Sequence, residues 1–237
     1  MMRMVAHDLN NYLGAVLGCI ELVAQTCELP DKQRQRVDKA LASTQEACRL
    51  LTNVMDIEKL DRSAFTANKE PTQLFALVQD VARNTDQMLQ ERRQQLMLNG
   101  PEDLSCAIDT NLTRRILMNL LHNAARYGPE GSAIAVEWSA EGNQAVLAIS
   151  NEGRAILELD QEHIFDRFYQ IKTAPEHARG GTGLGLAFAK LATEAQDGSI
   201  RVISPLPDRE YGARFEVRFP LSAAETVPAQ ESTVTAP

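Results

Sequence analysis

Between residues 3 and 60, apolar side chains recur at spacings of three and four: Val5, Leu9, Leu13, Val16, Leu17, Ile20 and Val23, then Val37, Leu41, Cys48, Leu51 and Met55. That spacing tracks the 3.6-residue helical period, so it predicts two amphipathic helices. The pattern breaks near Glu28–Asp31, around Pro30, which predicts an antiparallel hairpin. Two helices with one apolar stripe each cannot enclose a core. A second copy of the hairpin would close it as a four-helix bundle, so a homodimer is expected.

From Pro71 onward the period changes. Helical spacing from Thr72 to about Arg92 is followed by strand-like runs at Gln95–Leu98 and Cys106–Ile108. A second helix is predicted over Thr113–Arg126, then alternating strands at Ala133–Ser139 and Gln144–Ser150, and closing strands at Ser199–Ser204 and Ala213–Phe219. Interleaved strands and helices of this kind predict an α+β sandwich, a sheet with helices on one face. The expected organisation is a hairpin at 1–62, a polar linker at 63–71, a sandwich domain at 72–220 and a disordered tail at 221–237 rich in Ala, Ser, Thr, Pro, Glu and Gln.

Composition narrows the class. The 237 residues are 44% hydrophobic and 24% charged, as in soluble globular proteins. A net charge of −8 argues against a nucleic-acid surface, which needs a basic face. The best apolar run, Tyr12 to Ile20, is too short to span a membrane, and Asp8, Asn10 and Asn11 interrupt any signal-peptide core. Cys19, Cys27, Cys48 and Cys106 lack metal-ligand spacing and are expected as reduced, mostly buried thiols.

The segment GGTGLGLAFAK, Gly180–Lys190, carries the first chemical signal. Gly181, Gly183 and Gly185, with Thr182 and Leu184 between them, run directly into a helix-forming stretch. Glycines permit close backbone approach, and a helix start presents unpaired N–H groups with a positive dipole end. Together these make a phosphate cradle. On the predicted second helix, Asn119 and Asn123 stand one turn apart on one face. Their amide oxygens suit a hard cation such as Mg²⁺ bridging phosphate oxygens, although one asparagine facing solvent and the other capping a turn is the plainer reading of the pair taken alone. Asn151, ahead of Gly153 at a strand end, is placed to read a base edge. The aromatic segment IFDRFYQ precedes a polar stretch at Ile171–Arg179 long enough for a lid. HDLNN puts His7 and Asn11 one turn apart with Asp8 beside them. A neutral imidazole is a competent nucleophile near neutral pH, and a neighbouring carboxylate can take its proton or hold its tautomer.

In order and separation these segments resemble the histidine, asparagine, first glycine, phenylalanine and second glycine boxes of bacterial two-component sensor histidine kinases, over about Met4–Pro220. The resemblance implies that ATP with Mg²⁺ binds the sandwich, His7 accepts the phosphoryl group, and a response-regulator aspartate receives it. It implies further that Asp8 assists the transfer and that Asn11 orients water during dephosphorylation of the regulator. Asn119 and Asn123 would hold Mg²⁺-ATP, and Arg126 would stand where a phosphate-contacting Lys is usual. Gly181, Gly183 and Gly185 would hinge the lid. The wider ATPase superfamily puts a glutamate base at the position of Asn119, which cannot take a proton from water, so transfer is favoured over hydrolysis.

Two departures qualify the resemblance. Asn151 and Ala155 replace the Asp and second Gly usual in the first glycine box, which weakens the expected hold on adenine. They leave open an alternative: a kinase-impaired scaffold, or a phosphatase-biased module, with weak nucleotide binding. A protein-serine kinase or anti-sigma factor on the same fold is disfavoured by the HDLNN hairpin. His7 also lies close to the first residue, with no sensor segment ahead of it, so the expectation is a cytoplasmic core separated from a sensor domain or served by a sensor protein.

Overall fold

The computed structural model describes the backbone of residues 2–27, 29–61, 65–171 and 181–221, and within these the side chains of all but 2–8, 10, 46 and 49. The side chains of His7 and Asp8, the lid stretch 172–180 with Gly180, and the tail from residue 222 therefore lie outside the described residues.

Helices α1 (Met2–Thr26) and α2 (Asp31–Leu60) form the hairpin that the apolar spacing predicts. Leu9, Tyr12, Val16, Leu22 and Val23 stay exposed along α1, as a single hairpin must leave them. The cysteine expectation needs correction for the same reason. Cys106 is buried, whereas Cys19 and Cys27 are exposed and Cys48 is half-buried, because a lone hairpin encloses nothing. Among the described residues no helix is long and apolar enough to cross a membrane.

The rest of the chain continues β1 (Glu70–Gln73), α3 (Leu74–Glu91), β2 (Gln95–Asn99), β3 (Ser105–Ile108), α4 (Thr110–Tyr127), β4 (Ala133–Glu141), β5 (Gln144–Asn151), α5 (Glu158–Gln161), α6 (Gly185–Glu194), β6 (Ser199–Ile203) and β7 (Ala213–Pro220). Five strands form one sheet in the order β2-β4-β5-β7-β6, with β2–β4 parallel and the other pairs antiparallel. Strands β1 and β3 pair separately, Thr72 opposite Cys106. Helix α3 thus begins at Leu74, two residues later than the spacing predicts. Pro71 cannot donate a ladder bond and sits comfortably in a marginal strand, and the Leu74 N–H donates to the Leu104 carbonyl at 3.0 Å, tying the helix start to β3.

Alternation along the strands sends Ile134, Val136, Trp138, Leu147, Ile149, Phe215, Val217 and Phe219 toward α3, α4 and α6. The other face carries Glu216, 6% exposed, gripped by Arg201, Arg214 and Arg218. Burial alone would raise the Glu216 carboxyl, but the three guanidiniums overcome it and hold it below its ordinary value. Asp109 caps α4, its carboxylate accepting from the Leu112 N–H at 3.0 Å, which is worth about 1 kcal/mol. Ile57 and Leu60 at the end of α2 are buried within the same apolar cluster as α4 and α6, so α2 docks on the sandwich.

Candidate functional site

Helix α4 presents Asn119 and Asn123 to the segment that leads into α6. The Asn119 Nδ2 donates to the Arg115 carbonyl at 3.0 Å, which turns its oxygen outward. A Cβ on Gly185 would stand 3.1 Å from that oxygen, so glycine is what lets the start of α6 come so near. No side chain caps α6, so its first N–H groups remain available to an anion. Gly183 has φ +67°, and a Cβ there would lie 2.5 Å from the carbonyl carbon of Phe168, whose own N–H donates to the Gly183 carbonyl at 2.9 Å. Gly181 packs against Arg126, whose Nη1 would be 2.6 Å from an added Cβ, and its carbonyl accepts from Gln170. The Thr182 hydroxyl accepts from the Leu184 N–H at 3.3 Å.

These residues surround a cleft of about 330 Å³ whose lining includes Asn119, Asn123, Arg126, Thr182 and the three glycines. Arg92 and His122 line it too, and neither is evident from the sequence. Arg92 ends α3, far away in the chain, and only the packing of α3 beside α4 brings it here. Among the described residues neither Arg92 nor Arg126 is paired with a carboxylate, so the cleft is electropositive where phosphates would lie.

A second, more apolar cleft shares Asn123, Tyr127, Ile164, Tyr169, Gln170 and Leu186 with the first, so the two adjoin as the two ends of one groove region. Its far wall holds Asn151, 5% exposed, beside Ala155, Ile156, Ala213 and Phe215. Asp160 also lines it, its carboxylate accepting from the Tyr169 hydroxyl at 2.7 Å; that bond raises the Tyr169 pKa. Gly153 does not line the groove; a Cβ there would meet the Tyr127 carbonyl at 2.6 Å, so it permits β5 to leave close to α4. Leu184 points into the core at 2% exposure.

His7, Asp8 and Asn11 lie on α1, away from the groove in sequence, and Asn11 is exposed. Residue 7 stands as many residues before Thr26 as Leu50 stands after Asp31, so the antiparallel hairpin puts them at one level. Asn53 is only about 4.5 Å further along the α2 axis. There a third cavity opens between α2 and α4, lined by Thr52, Asn53, Arg115, Met118, Asn119 and His122. Asn119 and His122 thus border both this cavity and the first cleft. Arg115 fastens the contact, its guanidinium 2.6 Å from Asp56 of α2 and 4.2 Å from the centre of the Phe188 ring of α6.

Among the described residues no cluster of His, Cys, Asp and Glu could by itself hold a metal. A cation here would rest on amide oxygens and on the oxygens of a bound anion, which the outward Asn119 oxygen fits.

The structure thus sets a glycine-shaped groove on an α/β sandwich against a histidine-bearing hairpin. Residues 1–63 match the His Kinase A (phospho-acceptor) domain, and residues 108–223 match the histidine kinase-, DNA gyrase B-, and HSP90-like ATPase family. The chain is 27% identical to the sensor protein KdpD of Clostridium acetobutylicum over 93% of its own length and 24% of that protein's. It is 29% identical to the autoinducer 2 sensor kinase/phosphatase LuxQ of Vibrio cholerae, over 98% of this chain and 27% of the relative. It is also 28% identical to the sensor histidine kinase YcbM of Bacillus subtilis, over 86% and 66%. The chain therefore spans about a quarter of the first two relatives. In fold it is similar to full-length ShkA in complex with AMPPNP, with a TM-score of 0.75 at 22% identity over 94% of this chain and 46% of that one. The chain belongs to the two-component sensor histidine kinases, of which it is the catalytic core.

Proposed function

We propose that this core binds Mg²⁺-ATP in the groove, transfers the γ-phosphoryl group to His7, and passes it to an aspartate on a response-regulator receiver domain. One observation carries the reading: Asn119 and His122 border both the phosphate cleft and the cavity against α2 at the level of residue 7. The cleft assigned to the phosphates therefore adjoins the stretch of α2 that lies level with residue 7 on α1.

In this reading the N–H groups at the start of α6 and the Arg92 and Arg126 guanidiniums bind the phosphates. Asn119 and Asn123 would hold Mg²⁺, which when bound neutralises charge on the β- and γ-phosphates. An imidazole nitrogen of His7 forms the N–P bond as the bond from the γ-phosphorus to its bridging oxygen breaks, and ADP leaves with that electron pair. Asp8 takes the imidazole proton or holds the tautomer. Catalysis is positioning and charge neutralisation, since no groove residue forms a bond to phosphorus. Asn119 is not a base, which favours transfer over hydrolysis. Segment 1–62 acts as the dimerising, phospho-accepting unit, 63–71 as linker and 72–220 as the ATP-binding domain. Asn11, exposed on α1, is the candidate for orienting water if the regulator is also dephosphorylated.

Incubation with γ-labelled ATP is expected to leave acid-labile, base-stable label on the chain and none on His7→Gln. Label that survives in His7→Gln, or no label on the unaltered chain across Mg²⁺ and nucleotide concentrations, would overturn the assignment. The kinase-impaired alternative rests on Asn151 and Ala155 at the base end; absent or millimolar Mg²⁺-ATP binding would favour it.

A further inference from the structure

We infer that the base end of the groove reads guanine about as well as adenine, because Asn151 can present its carboxamide either way round. The inference rests on the nucleotide reading of the groove and names the purines it accepts.

The backbone of Asn151 is held rigidly. It closes β5 between two ladders, opposite Ala213 of β7 on one side and Ile134 of β4 on the other. Both neighbours are apolar, so neither can hold the amide oxygen in one direction. The side chain is almost fully buried in the wall of the base cleft, where Ala155, Ile156 and Phe215 supply apolar surface. A buried amide in such a wall needs a partner. Gly153 leaves it room to turn: a Cβ on that residue would stand 3.0 Å from the Asn151 Nδ2.

A carboxamide carries an acceptor and a donor side by side. The edge of adenine offers the 6-amino donor beside the N1 acceptor. The edge of guanine offers the reverse, the O6 acceptor beside the N1–H donor. Asn151 complements the first with its oxygen toward the 6-amino group and the second after a half-turn of its amide, with the same number of hydrogen bonds. A carboxylate at this position could accept but never donate to O6. Guanine alone has a 2-amino group, and Asp160 in the same cleft supplies a further carboxylate acceptor, one oxygen of which is oriented by Tyr169.

Calorimetric titration of the full chain with the Mg²⁺ complexes of ATP, GTP and CTP tests this. The expected result is ATP and GTP dissociation constants within about tenfold of each other, with CTP weaker than both. In Asn151→Ala, ATP and GTP should both weaken by about tenfold or more. GTP binding about 100-fold weaker than ATP in the unaltered chain would overturn the inference and leave the nucleotide reading standing. So would Asn151→Ala weakening ATP alone. Failure of all three to bind would remove the nucleotide reading itself, and this inference with it. The GTP-to-ATP ratio of the unaltered chain decides the matter even where the variant folds poorly.

Discussion

Replacing Gly183 by alanine concentrates two costs at one atom of the phosphate cradle. The residue has φ +67°, a conformation that costs an L side chain about 1–2 kcal/mol. The new methyl would also stand 2.5 Å from the Phe168 carbonyl carbon and 2.7 Å from the Tyr169 carbonyl oxygen, both backbone atoms that cannot swing aside. Relief requires opening the Phe168 N–H bond to the Gly183 carbonyl, now 2.9 Å, worth about 1 kcal/mol more. The sum, about 2–3 kcal/mol, corresponds to a loss of roughly 30- to 140-fold in Mg²⁺-ATP affinity if the corner must regain its present shape to bind. Calorimetric titration measures it, alongside thermal melts. Gly131→Ala is the control, because Gly131 has φ +76° with nothing within 4 Å of an added Cβ. It should cost about 1 kcal/mol of stability and leave nucleotide affinity unchanged. Gly183→Ala binding within twofold of the unaltered chain would refute the claim that this glycine shapes the phosphate cradle.

Arg115→Ala should loosen the end of α2 from the sandwich. The half-exposed ion pair with Asp56 is worth about 1 kcal/mol, so amide hydrogen exchange over residues 53–60 should quicken about fivefold while β5 is unaffected; unchanged exchange there would remove Arg115 as the fastening. Burial raises the Cys106 thiol from 9.0 to about 11 against a small opposing pull from Lys69. Because its folded pKa lies above its unfolded one, its contribution is fully present below pH 9 and is lost as pH rises toward 11. Urea melts should therefore show stability falling across that window, with the fall smaller in Cys106→Ala; equal slopes in the two chains would refute it.

Much of the site was legible because its chemistry sits in short, contiguous segments. The glycine run 181–185 and the asparagine pair on α4 each declare a local backbone shape or helix face. Arg92 was illegible: nothing in QERRQQ distinguishes it from a solvated helix end, and its role depends on α3 lying beside α4. Asp160 was hidden for a similar reason. It sits on α5, a four-residue helix too short for a periodic signal, and only the Tyr169 hydroxyl ties it to the base cleft. The strand at Glu70–Gln73 escaped because its stability comes from pairing with β3, not from any propensity of a segment containing Pro71.

The sequence by itself determined the hairpin, the sandwich class, the glycine corner ahead of α6 and the candidate nucleophile. Each of these follows from interactions between residues a few positions apart: helical period, strand alternation, glycine φ and neighbouring side chains on one helix face. Only the tertiary structure decided that the two clefts adjoin, that Arg92 joins Arg126 in the first of them, and that Asn119 also borders a cavity against α2. Those facts depend on packing between elements that are distant in the chain. Burial of Ile57 and Leu60 against the sandwich, which no local pattern encodes, is what brings α2 there.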